Sequence, residues 1–235
     1  MDRVADIDRY LRAYFASQQT PDAAPSQPHA HPFVTISRQA GVGGHELADT
    51  MVEVFSTIDD PIFDGWRVYD RTLCEMVAED PRYRKNLDSL LEEEYRAKTN
   101  DFFHQMLRST VDQKLVMNRV FLAVRTVAGI GKAVIVGRAG AQVSMDLPEG
   151  VSIRVIAPED ARVARAVEAH GLTDREARAS GRKRDADRAR LVKAHFGTDI
   201  DDPAGYDAVF NAGEVSFGEI ARSVAIMVRS RSKAI

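Results

Sequence analysis

The stretch that decides the fold runs from residue 33 to residue 48 and reads Phe33-Val34-Thr35-Ile36-Ser37-Arg38-Gln39-Ala40-Gly41-Val42-Gly43-Gly44-His45-Glu46-Leu47-Ala48. Its apolar, β-branched start predicts a buried strand, its three clustered glycines predict a loop, and the residues that follow predict a helix over 44–57. Backbone N–H groups of such a loop converge on an anion at the helix N-terminus, where the helix dipole favours negative charge. The stretch therefore predicts a phosphate-binding loop, and the alternative is a glycine-rich turn without a ligand. The loop residues are Gly41, Val42, Gly43, Gly44, His45 and Glu46.

This loop departs from the Walker A pattern GxxxxGK[ST] at its functional end. When Gly43 is aligned with the second glycine, Gly44 stands in place of the lysine, and His45 or Glu46 stands in place of the Mg²⁺-binding hydroxyl residue. Arg38 is the first candidate to replace the lysine, because a guanidinium can grip phosphate with two parallel hydrogen bonds. His45 is the second candidate. Glu46 is a candidate ligand of Mg²⁺, directly or through water.

The rest of the chain alternates short apolar runs with longer helical stretches, which predicts an α/β fold of parallel strands joined by crossover helices. The predicted strands are 33–37, 67–69, 133–136, 152–157 and 208–210. The predicted helices are 44–57, 71–79, 86–129, 159–169, 173–195 and 214–231.

Two segments precede the first predicted strand. Residues 1–16 place apolar side chains at three- and four-residue steps, which predicts an amphipathic helix. This helix would dock on the body, form a homodimer with a second copy, or stay loose. Residues 17–32 carry four of the nine prolines and predict a linker. The domain proper is therefore expected over 33–235.

Composition restricts the classes of function. The chain has 235 residues, of which 44% are hydrophobic and 29% charged, so it can bury a real core. Its formal net charge of −3 argues against a polybasic nucleic-acid or membrane binder. No apolar run reaches the roughly 18 residues that a membrane span requires. The single cysteine, Cys74, and the charged start of the chain favour a cytoplasmic protein without disulfides.

Arginines stand at further positions suited to phosphate. Arg138 follows the predicted strand 133–136 and so lies at the carboxyl edge of the sheet, where open α/β sheets bind ligands. Residues 178–193 carry seven basic and two acidic side chains, a local charge of +5. This segment predicts an anion-binding surface. The alternative is a solvated helix face held by i,i+4 ion pairs.

Several motifs together resemble a known family, in the same order along the chain. The motifs are VTISRQAGVGGHELA, VIVGRAG, SIRVIAPEDARVAR, DADRARLVKAHFG and YDAVFNAGEVS. Together they resemble the cytidylate kinase-like family, a divergent branch of the P-loop nucleoside monophosphate kinases. The resemblance implies a P-loop NTPase three-layer fold with a five-stranded parallel sheet. It also implies ATP- and Mg²⁺-dependent phosphoryl transfer to a nucleoside monophosphate, with CMP or dCMP as the leading acceptor.

The resemblance also implies a role for each segment. Donor phosphates would lie over the glycine loop, and the acceptor would lie under a helical insert at 71–128, entered by Tyr69-Asp70-Arg71. The lid would be 174–195, with Arg162 near the same machinery. Arg38, Arg184 and Arg188 would serve the transferred phosphoryl group. The implied acceptor-binding residues are Asp70, Arg71, Arg138, Asp185 and Asp187, where the two lid aspartates hold either the acceptor sugar or the arginines. Ala139 replaces an aspartate of the better-known cytidylate kinases, which weakens the expectation of cytosine specificity.

Two other functions stay open on the sequence alone. A nucleotide-binding regulator that keeps the phosphate loop without turnover would account for the missing lysine. A kinase for a different small hydroxyl or phosphate compound would use the same phosphate-binding parts. RNA binding ranks last, because no aromatic stacking platform is interleaved with the basic segment.

Overall fold

The computed structural model describes residues 31–70 and 113–232. The expected N-terminal helix (1–16), nearly all of the linker (17–32), the predicted helix 71–79 and most of the helical insert (71–128) lie outside the described residues. So do Arg71 and Cys74.

The centre of the molecule is a parallel sheet. Its strands are β1 (Phe33–Arg38), β2 (Arg67–Tyr69), β3 (Ala133–Val136), β4 (Gly150–Ile156) and β5 (Ala208–Asn211). They are ordered β2-β3-β1-β4-β5, and every neighbouring pair is parallel. The predicted α/β fold with a five-stranded parallel sheet is therefore confirmed. Because the strands run in one direction, the loops after β1 and β3 meet at one edge of the sheet.

Helices cover both faces of this sheet and complete three layers. They are α1 (Gly44–Ser56), α2 (Gln113–Ile130), the four-residue α3 (Gly140–Val143), α4 (Glu159–His170), α5 (Asp174–Phe196) and α6 (Phe217–Ser232). Short 3₁₀ turns lie at Pro61–Phe63 and Pro203–Gly205. Among the described residues, no helix is both long and apolar enough to cross a membrane.

Two apolar clusters hold the layers together. On one face, Leu47, Met51 and Phe55 of α1 pack with α6 against the sheet, at spacings of four residues that place them on one side of the helix. On the other face, Phe121 and Val124 of α2 pack beside Ile135 and neighbouring strand residues. The inner strands β1 and β3 are thus covered on both sides, which explains why they are largely apolar, whereas the edge strands β2 and β5 are partly exposed.

The largest differences from the predicted boundaries have local causes. The strand predicted at 152–157 begins at Gly150, because Gly150 and Val151 already pair with the start of β1. The helix predicted at 214–231 begins at Phe217. A capping box sets this start: the Ser216 N–H donates to the Glu219 carboxylate at 2.9 Å, and the Glu219 N–H donates to Ser216 Oγ at 3.4 Å.

Candidate active site

The glycine loop is pressed between two helices. Gly41 and Gly43 have φ of +80° and +82°, in the left-handed region that favours glycine. A Cβ at Gly41 would lie 2.6 Å from the Arg162 carbonyl oxygen, and a Cβ at Gly43 would lie 2.8 Å from the Phe217 ring. Leu47 N–H donates back to the Gly43 carbonyl at 2.9 Å, so α1 starts directly at the loop. Because the first N–H groups of a helix have no intrahelical partner, this start is able to receive an anion.

Arg38 takes a path that explains the missing lysine. A Cβ at Gly44 would lie 3.0 Å from Arg38 Cγ, so the arginine stem crosses the place where a side chain at position 44 would begin. A Cβ at Gly137 would overlap the Arg38 guanidinium, with Cζ at 2.8 Å. The side chain therefore runs from β1 across Gly44 and ends over Gly137, after β3. A lysine at 44 would compete for this space.

The Arg38 guanidinium opens into a cavity of about 410 Å³ at the carboxyl ends of β1 and β3. The cavity is also lined by Arg138, Arg184 and Arg188, so the arginines singled out in the sequence meet here. Burial, followed by the charges of Arg188 and Arg138, lowers the pKa of Arg38 to about 10, while Asp185 opposes the shift. At neutral pH these groups are cations crowded together, an arrangement that an anionic ligand would stabilise.

The other lining residues of this cavity are small, apolar or polar. They are Ser37, Val136, Gly137, Ala139, Gly140, Ala141, Gln142, Asp187, Leu191, Val192 and Ile200. Asp187 also accepts a hydrogen bond from Arg190. The cavity thus combines arginines with an apolar wall, which suits a phosphorylated compound with a flat or apolar part.

Asp185 joins α5 to the glycine loop. Its carboxylate accepts hydrogen bonds from the Ala40 N–H at 2.7 Å, from Arg162 Nη1 at 3.0 Å and from Arg188 Nη1 at 3.1 Å. Arg188 Nη1 also donates to the Arg38 carbonyl at 3.2 Å. Of the two roles that the resemblance left open for this aspartate, the structure shows it holding arginines and the loop.

The arginines of the basic segment 178–193 include two groups: one binds α4 and the other lines the cavity. Arg178 and Arg182 bind Glu159 at the start of α4, and Arg178 also binds Asp160. The hydrogen bond from Arg182 is the main reason that the pKa of Glu159 falls to about 2. All of these pairs join α5 to α4, so they differ from the i,i+4 pairs within one helix that the alternative expected. Arg184 and Arg188 instead line the cavity.

Three predicted residues lie around the first turn of α1. His45 Nδ1 is 3.9 Å from Asp70 Oδ2, which brings the end of β2 close to the loop. Glu46 Oε2 accepts a hydrogen bond from Arg165 Nη1 at 2.5 Å, so the structure places a guanidinium at the carboxylate expected to bind Mg²⁺. In the part of the chain that the structure describes, no three histidine, cysteine, aspartate or glutamate side chains form a metal cluster.

A buried network behind the cavity was missed by the sequence reasoning. Arg154, in β4, is only 5% exposed. It donates to Ser37 Oγ at 2.9 Å, is paired with Asp201, and lies 5.9 Å from the centre of the Tyr206 ring. The Tyr206 hydroxyl donates to the Ile200 carbonyl at 2.9 Å and lies 3.2 Å from Ser37 Oγ. A signal was available, since an arginine inside an apolar strand must find partners.

The fold of this chain is similar to that of solved structures. A crystal structure of an uncharacterized protein from Eubacterium ventriosum ATCC 27560 is 21% identical, with a TM-score of 0.66 over 85% of this chain and 99% of that one. Shikimate kinase from Bacteroides thetaiotaomicron is 11% identical, with a TM-score of 0.44 over 84% of this chain and 98% of that one. TT1252 from Thermus thermophilus is 15% identical, with a TM-score of 0.42 over 85% and 98%.

None of the curated proteins matches the chain significantly. The family model of the cytidylate kinase-like family matches residues 33–214, which span every strand and the cavity. The chain belongs to the cytidylate kinase-like family.

Proposed function

We propose that the protein transfers a phosphoryl group from ATP, with Mg²⁺, to a nucleoside monophosphate, and that CMP and dCMP are the first acceptors to test. The observation that carries this proposal is the meeting of Arg38, Arg138, Arg184 and Arg188 in one cavity beside a glycine loop. Kinase-like activity is what the family membership supports, and the acceptor is the finer part of the proposal.

The donor phosphates fit the loop at the start of α1. Their oxygens would accept hydrogen bonds from the N–H groups of residues 42–46, next to glycines that leave no side chain in the way. Phosphoryl transfer mainly requires alignment of the reactants and neutralisation of negative charge. Arg38, Arg184 and Arg188 would neutralise the transferred group from the cavity side, and Arg138 would hold the acceptor phosphate.

Among the described residues, the site offers Mg²⁺ few protein ligands. The ion usually keeps several waters and binds substrate phosphates with one or two carboxylates, so a full protein cage is not required. The Asp70 carboxylate lies beside the first turn of α1 and would supply such a ligand. When bound with the nucleotide, Mg²⁺ would neutralise phosphate charge. The chain's own residues would position the two substrates and exclude water.

Closure of α5 over the loop is the third part of the proposal. Asp185 fastens this helix to Ala40 and Arg162, and Arg184 and Arg188 project from the same helix into the cavity. Docking of α5 therefore brings the arginines and the loop together. Water excluded in this step would otherwise compete as phosphoryl acceptor.

The test is ADP release by the purified protein with ATP and Mg²⁺ against CMP, dCMP, UMP, AMP and GMP. We expect acceptor-dependent ADP that is lost in Arg138→Ala and kept in Arg229→Ala. Arg229 is paired with Asp60 on a different surface and serves as the matched control. ATP binding without turnover on any acceptor would support the regulator instead. Turnover only with a non-nucleotide compound would support the other kinase.

A further inference from the structure

Arg165 lies against the glycine loop and is not one of the residues that line the arginine cavity. Its Nη1 would be 2.9 Å from a Cβ at Gly43, and the same nitrogen donates to Glu46 Oε2 at 2.5 Å. The guanidinium carbon lies 4.9 Å from the centre of the Phe217 ring. Arg165 is thus held between the loop, the first turn of α1 and the start of α6.

Neither Arg38 nor Arg162 supplies a charge at this place. Arg38 crosses Gly44 and ends over Gly137, so its guanidinium serves the cavity. Arg162 donates to the Ala40 and Ala157 carbonyls and to Asp185, which commits it to holding the loop. Arg165 is 40% exposed and the Glu46 side chain 63% exposed. An ion pair so open to water contributes little to stability and exchanges partners easily.

Without Arg165, the negative charge of Glu46 would weaken the binding of a nucleotide phosphate at the glycine loop. It lies in the first turn of α1, where the N–H groups and the helix dipole attract anions, and a carboxylate there repels a phosphate that binds the same turn. A phosphate offers Arg165 a bidentate, doubly charged partner in place of one carboxylate oxygen. The exchange of Glu46 for a phosphate would therefore be favourable.

We propose that Arg165 is a donor-phosphate-binding residue, and that Glu46 is the counter-ion that holds it beside the loop when no nucleotide is bound. This inference rests on the proposed function, and it assigns a phosphate-binding cation to the Gly43 side of the loop, apart from the space at Gly44 that Arg38 occupies. It also gives Glu46 a role opposite to that of a Mg²⁺ ligand. Substitutions of the two residues should therefore change donor affinity in opposite directions.

The test is calorimetric binding of ATP with Mg²⁺, and of inorganic tripolyphosphate, to four full-length proteins: wild type, Arg165→Met, Glu46→Gln and Arg229→Met. Arg229 is a close match for Arg165, since it is paired with Asp60 and lies 5.5 Å from the centre of the Phe63 ring, remote from the loop. Urea unfolding of each protein confirms that the variants fold.

We expect Arg165→Met to raise the Kd of both ligands by about tenfold or more, the loss of one charge-assisted hydrogen-bonded contact. Glu46→Gln should lower both Kd values several-fold, and Arg229→Met should change neither. In steady-state assays, Arg165→Met should raise KM for ATP and leave KM for the acceptor unchanged.

Each other outcome overturns the inference in a recognisable way. Equal Kd values for Arg165→Met and Arg229→Met would make the Arg165–Glu46 contact a simple surface pair. A loss seen with ATP but not with tripolyphosphate would assign Arg165 to the base or sugar. Weaker binding by Glu46→Gln, with a raised Mg²⁺ requirement, would make Glu46 a metal ligand. If the wild type neither binds ATP nor forms ADP, the proposed function itself fails, which is distinct from these three results.

Discussion

Substituting Gly44 by alanine tests the path of the Arg38 side chain. The effect of this substitution on the free energy of unfolding should change sign when Arg38 is also replaced. In the wild type, the new Cβ lies 3.0 Å from Arg38 Cγ, and the arginine cannot retreat because its guanidinium is already packed over Gly137. Overpacking of this kind costs about 1–3 kcal/mol. Replacing glycine by alanine in a helix contributes about 1 kcal/mol in the opposite direction. Gly44→Ala should therefore destabilise the wild type by between about 0 and 2 kcal/mol.

In an Arg38→Ala background, the stem that crosses position 44 is gone and only the helix propensity remains. Gly44→Ala should then stabilise the protein by about 1 kcal/mol, which gives a coupling of about 1–3 kcal/mol between the two positions. Urea unfolding of the four proteins measures this coupling, provided that the m-value is unchanged. Additive effects, within about 0.5 kcal/mol, would show that Arg38 does not pass over Gly44.

Three further perturbations probe the same edge of the sheet. Gly137→Ala should lower the free energy of unfolding by about 1–3 kcal/mol, because φ is +79° and the new Cβ overlaps the Arg38 guanidinium. Urea unfolding measures this loss, and an unchanged midpoint would show that the Arg38 guanidinium does not pack over Gly137. Arg38→Lys should introduce an alkaline limb in kcat/KM, because the burial and the charges of Arg188 and Arg138 that lower the pKa of Arg38 would also lower the pKa of a lysine below its ordinary value. Activity of this variant is then lost as pH rises through the lowered pKa of the lysine, whereas a pH profile identical to that of the wild type would refute the assigned environment. Asp201→Asn should destabilise the protein by about 1–2 kcal/mol, because its partner Arg154 is buried and loses the carboxylate. Asp60→Asn should cost less than about 1 kcal/mol, because its partner Arg229 is 46% exposed. Equal losses in thermal or urea unfolding would contradict the role of Arg154.

Much of the fold could be predicted because strand and loop signals are local. The strand at 133–136 has the predicted bounds, since it is a short apolar run that is buried throughout. The strand at 67–69 also has the predicted bounds, although it lies at the edge of the sheet and Arg67 is exposed. The glycine loop after β1 could also be predicted, because positions with a left-handed φ or a crowded backbone require glycine, and glycine is visible in the sequence.

The parts that escaped prediction depend on contacts between distant residues. Asp185 binds the Ala40 N–H across 145 positions, and nothing in either segment alone indicates that a carboxylate of α5 accepts a hydrogen bond from a loop amide. Arg165 is one of several arginines along α4 and α5, and only the folded structure shows that it, and not Arg178, reaches the loop. Composition identified the basic segment 178–193, but the packing of the helices determines which of its arginines form ion pairs and which line the cavity.

α5 is fixed at its start by contacts with α4 and at its end by Phe196 in the core, while its middle carries the contact with the loop. Thr173 and Glu176 form a capping box, and Arg178 binds α4, so the first turn is anchored. Asp185 lies eleven residues beyond Asp174, about 16 Å along the axis at 1.5 Å per residue. A tilt of about 15° would lift the Asp185 carboxylate by about 4 Å, beyond hydrogen-bond reach of the Ala40 N–H and of Arg162, whereas Arg188 lies on the same helix and moves with it. The contacts of Asp185 with the loop and with α4 are therefore lost together, and only if the packed end of α5 around Phe196 shifts as well.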